Sequence, residues 1–164
     1  MKKLYIKQKV LSFNEKFTVK DQQGNDAYYV EGSLMKIPKT FSISNTAGTE
    51  VALITKKVFS FLPKFYVEVH GQEVVTINKE FSFFKARYSI DAASIEVQGN
   101  WWDMDFEVFQ YGEVVGKVNK EWFTWGDSYK IQVLNEEMET IIIALVIAID
   151  YVKASQAAAS SAAT

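Results

Sequence analysis

The chain has 164 residues, which is enough for one domain with a buried core, and its formal net charge is only −2. With 48% hydrophobic and 15% aromatic residues, it is too apolar to be disordered, and the aromatic content favours β-strands. It contains no cysteine, which excludes disulfides, thiolate metal sites, a cysteine nucleophile and palmitoylation, and suits a reducing compartment.

The small net charge hides an asymmetry along the chain. Residues 1–90 carry 14 Lys/Arg and 8 Asp/Glu, a net of +6, whereas residues 91–164 carry 4 and 12, a net of −8. A basic surface from the first half could face phosphates or an anionic membrane. Scattered lysines that keep strand edges from pairing would give the same count, so the asymmetry alone does not decide between the two.

Neither end of the chain carries a sequence typical of membrane insertion. The N-terminus is basic like a secretory signal, but Lys7, Lys9 and Lys16 interrupt the apolar core that such a signal needs. The apolar run at 141–149 is nine residues long, whereas a spanning helix needs roughly 20. We therefore predict a cytoplasmic protein without a transmembrane span, and the basic half would allow peripheral contact with a membrane.

Short alternating segments separated by turn residues fill the chain as far as residue 134, and a period of two is typical of half-buried strands. Gly24, Asn25 and Gly48 supply turn chemistry between the early strands. Together with the strands of the repeats below, the pattern predicts about twelve strands. The segments are 4–8, 12–20, 27–34, 39–44, 50–56, 65–69, 85–90, 94–98, 105–111 and 128–133.

Three segments resemble one another and indicate a repeated hairpin. They span 48–59, 71–81 and 112–123, and each begins with a turn glycine and is followed by an aromatic stretch and a strand that contains tyrosine. Each carries a lysine near the end of its strand, at Lys56, Lys79 and Lys120. Repeated hairpins form a meander, and closing the sheet removes its exposed edges, so we predict a closed antiparallel barrel.

The segment 135–153 differs from the rest because it is apolar on every side. Asn135 can cap a helix, and Glu136, Glu137 and Glu139 place negative charge in its first turn, which explains them better than paired catalytic carboxylates do. The isoleucine- and valine-rich interior would also suit a buried strand, but the cap, the acids and the length favour a helix.

A helix that is hydrophobic on all faces must be enclosed, so we expect helix 136–152 to lie inside the barrel. The tail 154–164 has no side chain larger than glutamine and cannot contribute to a core. We expect it to be a frayed helical extension or a disordered end.

No residue pattern in the chain requires a reaction. His70 is the only histidine and stands beside a turn glycine, so a turn residue explains it better than a catalytic triad does. Asp103, Asp105 and Asp127 could supply oxygen ligands to Ca²⁺, but the spacing of a calcium-binding loop is absent, and turn acids are the simpler interpretation. The glycines form no phosphate-binding or dinucleotide motif. We expect no cofactor and no metal.

Large aromatic residues cluster between the later strands, at Trp101, Trp102, Trp122, Phe123 and Trp125. Exposed rings could enter a lipid interface or stack on bases. The alternative is that they close the ends of the barrel over the helix, because large rings dominate small cores. We favour the second interpretation.

The order of motifs in the C-terminal half resembles that of the LURP-one-related family, which is grouped with tubby-like proteins and phospholipid scramblases. The residues that carry the resemblance are Gly99-Asn100, Asp105-Phe106, Gly112, Val118-Asn119-Lys120, Asp127, Tyr129, Ile131, Val133 and the apolar segment ending at Asp150. The resemblance implies a twelve-stranded barrel around a hydrophobic C-terminal helix.

The resemblance also implies candidate functions. Tubby-like domains bind phosphoinositide headgroups through basic side chains and some act as membrane-tethered transcriptional regulators, scramblases are associated with lipid movement and calcium, and plant relatives are linked to defence. The cysteine cluster that anchors scramblases is missing here, which argues against lipid scrambling.

We therefore predict a mainly β, single tubby-like domain over residues 1–153. Its expected function is non-enzymatic, as a binding or scaffold module for anionic phospholipid headgroups, with a protein-partner or regulatory module as the alternative. A metal-dependent enzyme or a scramblase is less favoured, and nucleic acid is not an expected partner. Lysines close together in the sequence could form the anion-binding face, although solvated strand-edge lysines would look the same. They are Lys36, Lys39, Lys56, Lys57 and Lys64.

Overall fold

Twelve strands and one long helix make up the part of the chain that this computed structural model describes. That part comprises residues 1–7, 16–33, 38–57, 62–80, 87–123 and 126–162. At residues 122, 123, 126 and 127 the backbone is described and the side chains are not. The strands are β1 (Lys2–Lys7), β2 (Lys16–Asp21), β3 (Asp26–Gly32), β4 (Thr40–Asn45), β5 (Glu50–Lys57), β6 (Lys64–Val69), β7 (Gln72–Glu80), β8 (Arg87–Asp91), β9 (Glu96–Asn100), β10 (Asp105–Gln110), β11 (Glu113–Phe123) and β12 (Gly126–Val133). The helix α1 spans Glu139–Ala162, and 3₁₀ turns lie at Trp101–Asp103 and Glu136–Met138.

The strands form one antiparallel sheet in the order β8-β7-β6-β5-β4-β3-β2-β1-β12-β11-β10-β9, which confirms the predicted meander. Two hairpins use two-residue turns in which both residues have positive φ, His70–Gly71 and Tyr111–Gly112. Such turns match the right-handed twist of the flanking strands. Since β1 pairs with β12, the sheet curls into a barrel.

The barrel is nearly closed, whereas full closure was predicted. In the described part of the chain, β8 and β9 form the two edges of the sheet and do not pair with each other. Neither strand contains a fully buried residue, so joining their backbones would bury little apolar area. Side chains bridge the gap instead: the rings of Tyr88 and Trp102 stack with centroids 5.2 Å apart.

The helix α1 fills the barrel, as predicted. Every residue from Ile142 to Val152 is buried, and the inner faces of the strands pack against it. The Asn135 side chain accepts a hydrogen bond from the Glu137 backbone N–H at 3.1 Å, so Asn135 caps the 3₁₀ turn that leads into α1. The helix continues to Ala162, well past the predicted end at 152. The tail is thus helical as far as Ala162, in keeping with the high helix propensity of alanine.

The two ends of the barrel differ in charge. At the turn end, where α1 begins, carboxylates flank the short turns, at Asp21, Asp26, Glu50, Glu73, Asp91, Glu96 and Glu113. At the exit end, where α1 leaves, lysines outnumber carboxylates. The lysines are Lys7, Lys16, Lys39, Lys56, Lys57, Lys64, Lys79 and Lys120, and the carboxylates on the described strands are Glu31, Glu80, Asp105 and Glu121. The charge asymmetry of the sequence runs around the barrel, because residues 1–90 form β1–β8 and residues 91–164 form β9–β12 and α1. The acids at the turn end and the lysines at the exit end complement the helix macrodipole, which favours anions at the helix N-terminus and cations towards its C-terminus.

Candidate functional site: a basic rim at the exit end

The repeated hairpins place each of their lysines directly opposite an aromatic residue of the next strand. The cross-strand pairs are Lys56 with Phe65, Lys79 with Tyr88, and Lys120 with Tyr129. Directly paired residues share a face of the sheet, and Phe65 and Tyr129 are buried. These lysines therefore stand on the inner face, at the exit end.

Lys39 joins this group from the neighbouring strand. It precedes β4 and lies beside Lys56, whose backbone N–H donates to the Lys39 carbonyl at 3.1 Å. The three ammonium groups lie over aromatic rings: Lys39 Nζ is 5.5 Å from the Phe41 centroid, Lys56 Nζ 5.8 Å from that of Phe65, and Lys79 Nζ 6.0 Å from that of Tyr88. We call Lys39, Lys56 and Lys79 the basic rim.

The charges of the basic rim repel one another. Burial lowers the pKa of Lys56, and the positive charges of Lys79 and Lys39 lower it further. In the described part of the chain, no carboxylate forms a salt bridge with Lys56. Lys56 therefore carries a positive charge that an anion would neutralise.

The last turns of α1 attach to one side of the rim. Gln156 Oε1 accepts hydrogen bonds from the Tyr88 hydroxyl at 2.8 Å and from Lys79 Nζ at 3.2 Å. On the opposite side, a groove of about 630 Å³ separates the helix from β4 and β5. Lys39, Lys56 and the last turns of α1 line this groove.

A second group of charges lies where α1 leaves the barrel. The buried Asp150 accepts a hydrogen bond from the Tyr129 hydroxyl at 2.9 Å. Burial raises the pKa of Asp150, although this hydrogen bond and the positive charge of Lys153 oppose the rise. The pKa of Lys153 is lowered, first by burial and then by the charge of Lys120.

The structure brings together two of the five predicted lysines. Lys39 and Lys56 share the inner face, whereas Lys57 and Lys64 pair with each other on the outer face, where Lys57 Nζ lies 4.9 Å from the Tyr66 ring centroid. Lys36 lies outside the described residues. The prediction omitted Lys79, although the repeated lysine position of the hairpins was a signal for it.

The other candidates for chemistry are turn and cap residues. His70 is exposed in its turn, as predicted. The Asn100 side chain accepts a hydrogen bond from the Asp103 backbone N–H and donates one to the Asp103 carboxylate. Asp105 is exposed on β10, and the Asp127 side chain lies outside the described residues. Among the described residues, no group of three or more His, Asp or Glu side chains could hold a metal ion.

The predicted first-turn acids have different surroundings. Glu136 and Glu137 are exposed, whereas Glu139 is buried and accepts hydrogen bonds from Lys2 Nζ and the Tyr28 hydroxyl, each at 2.6 Å. Glu139 therefore does more than complement the helix dipole, because it ties two strands to the start of α1.

Two of the predicted end-closing aromatics pack against the core. Trp101 and Trp102 are half-buried, and their ring centroids lie 5.7 Å apart in an edge-on arrangement. This supports the prediction that these rings cover the core, and the stacking of Trp102 on Tyr88 places them beside the gap between β8 and β9. Trp125 and the side chains of Trp122 and Phe123 lie outside the described residues.

The segment from Glu136 to Ala162 has the length and composition of a membrane span, because it contains an 18-residue stretch with a mean hydropathy of 1.7. However, 61% of that stretch is buried inside the barrel. Core helices of soluble proteins share these properties, so the segment is weak evidence for a membrane span.

The fold and the rim define a class of small β-barrel proteins that enclose their own C-terminal helix. The family model of LURP-one-related proteins matches residues 2–150, and the chain belongs to this family. It is 30% identical over 152 residues to the uncharacterized protein YxjI of Bacillus subtilis (strain 168), covering 93% of this chain and 94% of that protein. The crystal structure of the Arabidopsis thaliana protein AT5G01750 shows the same fold, with a TM-score of 0.60. The two chains are 16% identical, and the match covers 93% of this chain and 91% of that one.

Proposed function

We propose that this protein is a non-enzymatic, cytoplasmic binding module whose basic rim takes anionic phospholipid headgroups at a membrane surface. The observation that carries the proposal is the grouping of Lys39, Lys56 and Lys79 on the inner face at one end of the barrel. Like charges placed this close destabilise one another, so their grouping is best explained by a ligand that neutralises them.

Two alternatives have less support. Lysines that only keep strand edges soluble point into solvent, as Lys57 and Lys64 do, whereas Lys56 is partly buried among aromatic rings. A protein-partner module would favour a contiguous apolar patch. In the described part of the chain, the exposed large apolar side chains lie away from the basic rim. They are Met1, Tyr29, Tyr111 and Leu134.

Liposome flotation tests the proposal. The protein should float with vesicles that contain phosphatidylserine or a phosphoinositide and not with phosphatidylcholine alone, and added salt should weaken the association. Replacing Lys39 and Lys56 by glutamine should weaken partitioning about thirtyfold, at about 1 kcal/mol for each lysine near the surface.

The matched control replaces Lys20 and Lys117 by glutamine, which removes the same charge from residues paired with carboxylates away from the rim. This variant should float nearly as well as the native protein. If both double variants lose the same affinity, only net charge matters and the rim is not the site. If no vesicle is bound, the membrane proposal is wrong.

A further inference from the structure

The groove beside the basic rim has two chemically different walls. The strand wall carries the ammonium groups of Lys39 and Lys56, and the helix wall is mostly alanine, including Ala154 and Ala158, with Ser155 and Ser161 among them. The buried rings of Phe41 and Tyr151, in edge-to-face contact with centroids 4.7 Å apart, form its floor. Because these residues come from β4, β5 and α1, the groove exists only when the helix is seated in the barrel.

From this arrangement we propose that the groove binds one single-chain anionic amphiphile, such as a long-chain fatty acid. Its carboxylate lies between Lys39 and Lys56, and its alkyl chain runs along the alanine face of α1. The volume of about 630 Å³ falls within the range of about 300–1,000 Å³ that is usual for small-molecule sites.

Charge complementarity alone would not select this ligand, because a small anion would leave the apolar wall in water. An alkyl chain attached to the anion covers that wall and gains affinity for each methylene it buries. The two walls together therefore favour an amphiphile over a free phosphate or an inositol phosphate.

The attachment of α1 explains why the groove stays open. Gln156 holds the helix against β7 and β8 through Lys79 and Tyr88. On the opposite side, Ala154 and Ala158 are too short to reach β4 and β5, which leaves the space between them unfilled. A large side chain at position 158 would occupy the groove but would remove no positive charge from the basic rim.

This inference rests on the proposed function, since Lys39 and Lys56 supply the charge in both. The two can nevertheless fail separately. Vesicle association needs only the positive charge of the basic rim, whereas capture of a dissolved fatty acid needs the groove itself.

Isothermal titration calorimetry with octanoate, decanoate and dodecanoate, each below its micelle concentration, tests the inference. Affinity should rise about fourfold for each methylene that enters the groove, at about 0.8 kcal/mol per buried CH₂. Acetate and inorganic phosphate supply the charge without the chain and should bind at least about a hundredfold more weakly than decanoate. Decyltrimethylammonium supplies the chain with the opposite charge and should not bind.

Two pairs of variants locate the site. Ala158→Phe should abolish decanoate binding while vesicle flotation persists, and Ala162→Phe, at a position outside the groove lining, should bind decanoate normally. Lys56→Met should weaken decanoate binding at least tenfold. Lys57 faces outward, so Lys57→Met should leave decanoate binding unchanged. Circular dichroism confirms that each variant is folded.

An affinity that does not depend on chain length would overturn the inference, as would equal effects of the two phenylalanine variants or of the two methionine variants. If Ala158→Phe does not fold, the chain-length series and the methionine pair decide alone. Vesicle binding without decanoate binding would reject the groove and leave the proposed function standing. Decanoate binding without vesicle binding would reject the proposed membrane function and leave the groove as a binding site.

Discussion

Lys2 Nζ lies 2.6 Å from Glu139 Oε1, so the second residue of the chain binds the first residue of the buried helix. The Tyr28 hydroxyl donates to the same oxygen at 2.6 Å. The Glu139 side chain is only 9% exposed, whereas that of Lys2 is 43% exposed. One carboxylate therefore joins β1, β3 and α1 at the turn end of the barrel.

Removing this carboxylate should be costly. Glu139→Ala leaves the Tyr28 hydroxyl and the Lys2 ammonium without their acceptor, and hydrogen bonds to charged groups contribute about 1.5–3 kcal/mol each. We expect the free energy of unfolding to fall by about 2–3 kcal/mol in urea denaturation. As a control, Glu107→Ala removes the exposed partner of Lys117 and should cost less than about 1 kcal/mol. Equal losses would show that the buried position of Glu139 has no special weight.

The barrel should not fold without its helix. Truncation after residue 134 removes the apolar residues that cover the inner faces of the strands, so we expect fragment 1–134 to be unfolded by circular dichroism. Truncation after residue 153 keeps the buried turns of α1, and fragment 1–153 should melt cooperatively. A soluble fragment 1–134 with a cooperative melt would contradict the central role given to the helix.

The alternation of the strands made most of this fold predictable. A period of two determines which side chains face inward, and Ile43, Ile54, Val67 and Ile77 are all buried as that pattern requires. The gap between β8 and β9 could not be predicted, because pairing depends on how far the sheet curls. The sequence left open whether the tail extends the helix or is disordered, since alanine and serine carry no core signal and the contacts of Gln156 are long-range.

Close contact between the sheet and α1 gives another test. A Cβ added at Gly116 of β11 would lie 2.6 Å from Ile142 Cδ1, in the packed core. Overpacking of this kind costs about 1–3 kcal/mol, so we expect Gly116→Ala to destabilise the protein by that amount. Ile142→Val removes the atom in closest contact and should recover part of the loss in the double variant. A double-mutant cycle in urea measures the coupling, and purely additive effects would mean that the clash is relieved elsewhere.

The site was less predictable than the fold, and the reason is geometric. Lys56 and Lys57 are neighbours in the sequence, but adjacent residues of a strand point to opposite faces. Proximity along the chain therefore grouped side chains that the sheet separates. The repeated hairpin was the better signal, because equivalent positions of successive hairpins share a face of the sheet. Lys56 and Lys79 occupy such equivalent positions.

The basic rim should increase the affinity for an anionic ligand and decrease the free energy of unfolding. Lys39 and Lys56 lie opposite each other, and like charges on neighbouring strands are destabilising. We expect Lys56→Met, which keeps most of the apolar stem, to raise the free energy of unfolding by about 0.5 kcal/mol while it weakens ligand binding. Lys57→Met on the outer face should leave the melting temperature unchanged. A lower melting temperature for Lys56→Met would show that its contact with the Phe65 ring outweighs the repulsion.

Asp150 should make stability depend on pH in the acidic range. Burial raises its pKa above the ordinary value of 3.8, so the folded state holds a proton that the unfolded state has already released. This contribution to stability is complete below about pH 3.8 and is lost as the pH rises through the higher pKa of the folded state. Asp150→Asn removes this titration, and its amide oxygen can still accept the hydrogen bond from Tyr129. The variant should therefore be more stable than the native protein at pH 7, and the difference should shrink as the pH falls towards 4. Urea denaturation across this range measures the difference, with Asp91→Asn at an exposed position of β8 as the control. A difference that grows on acidification would mean that the charge of Lys153 outweighs the burial of Asp150.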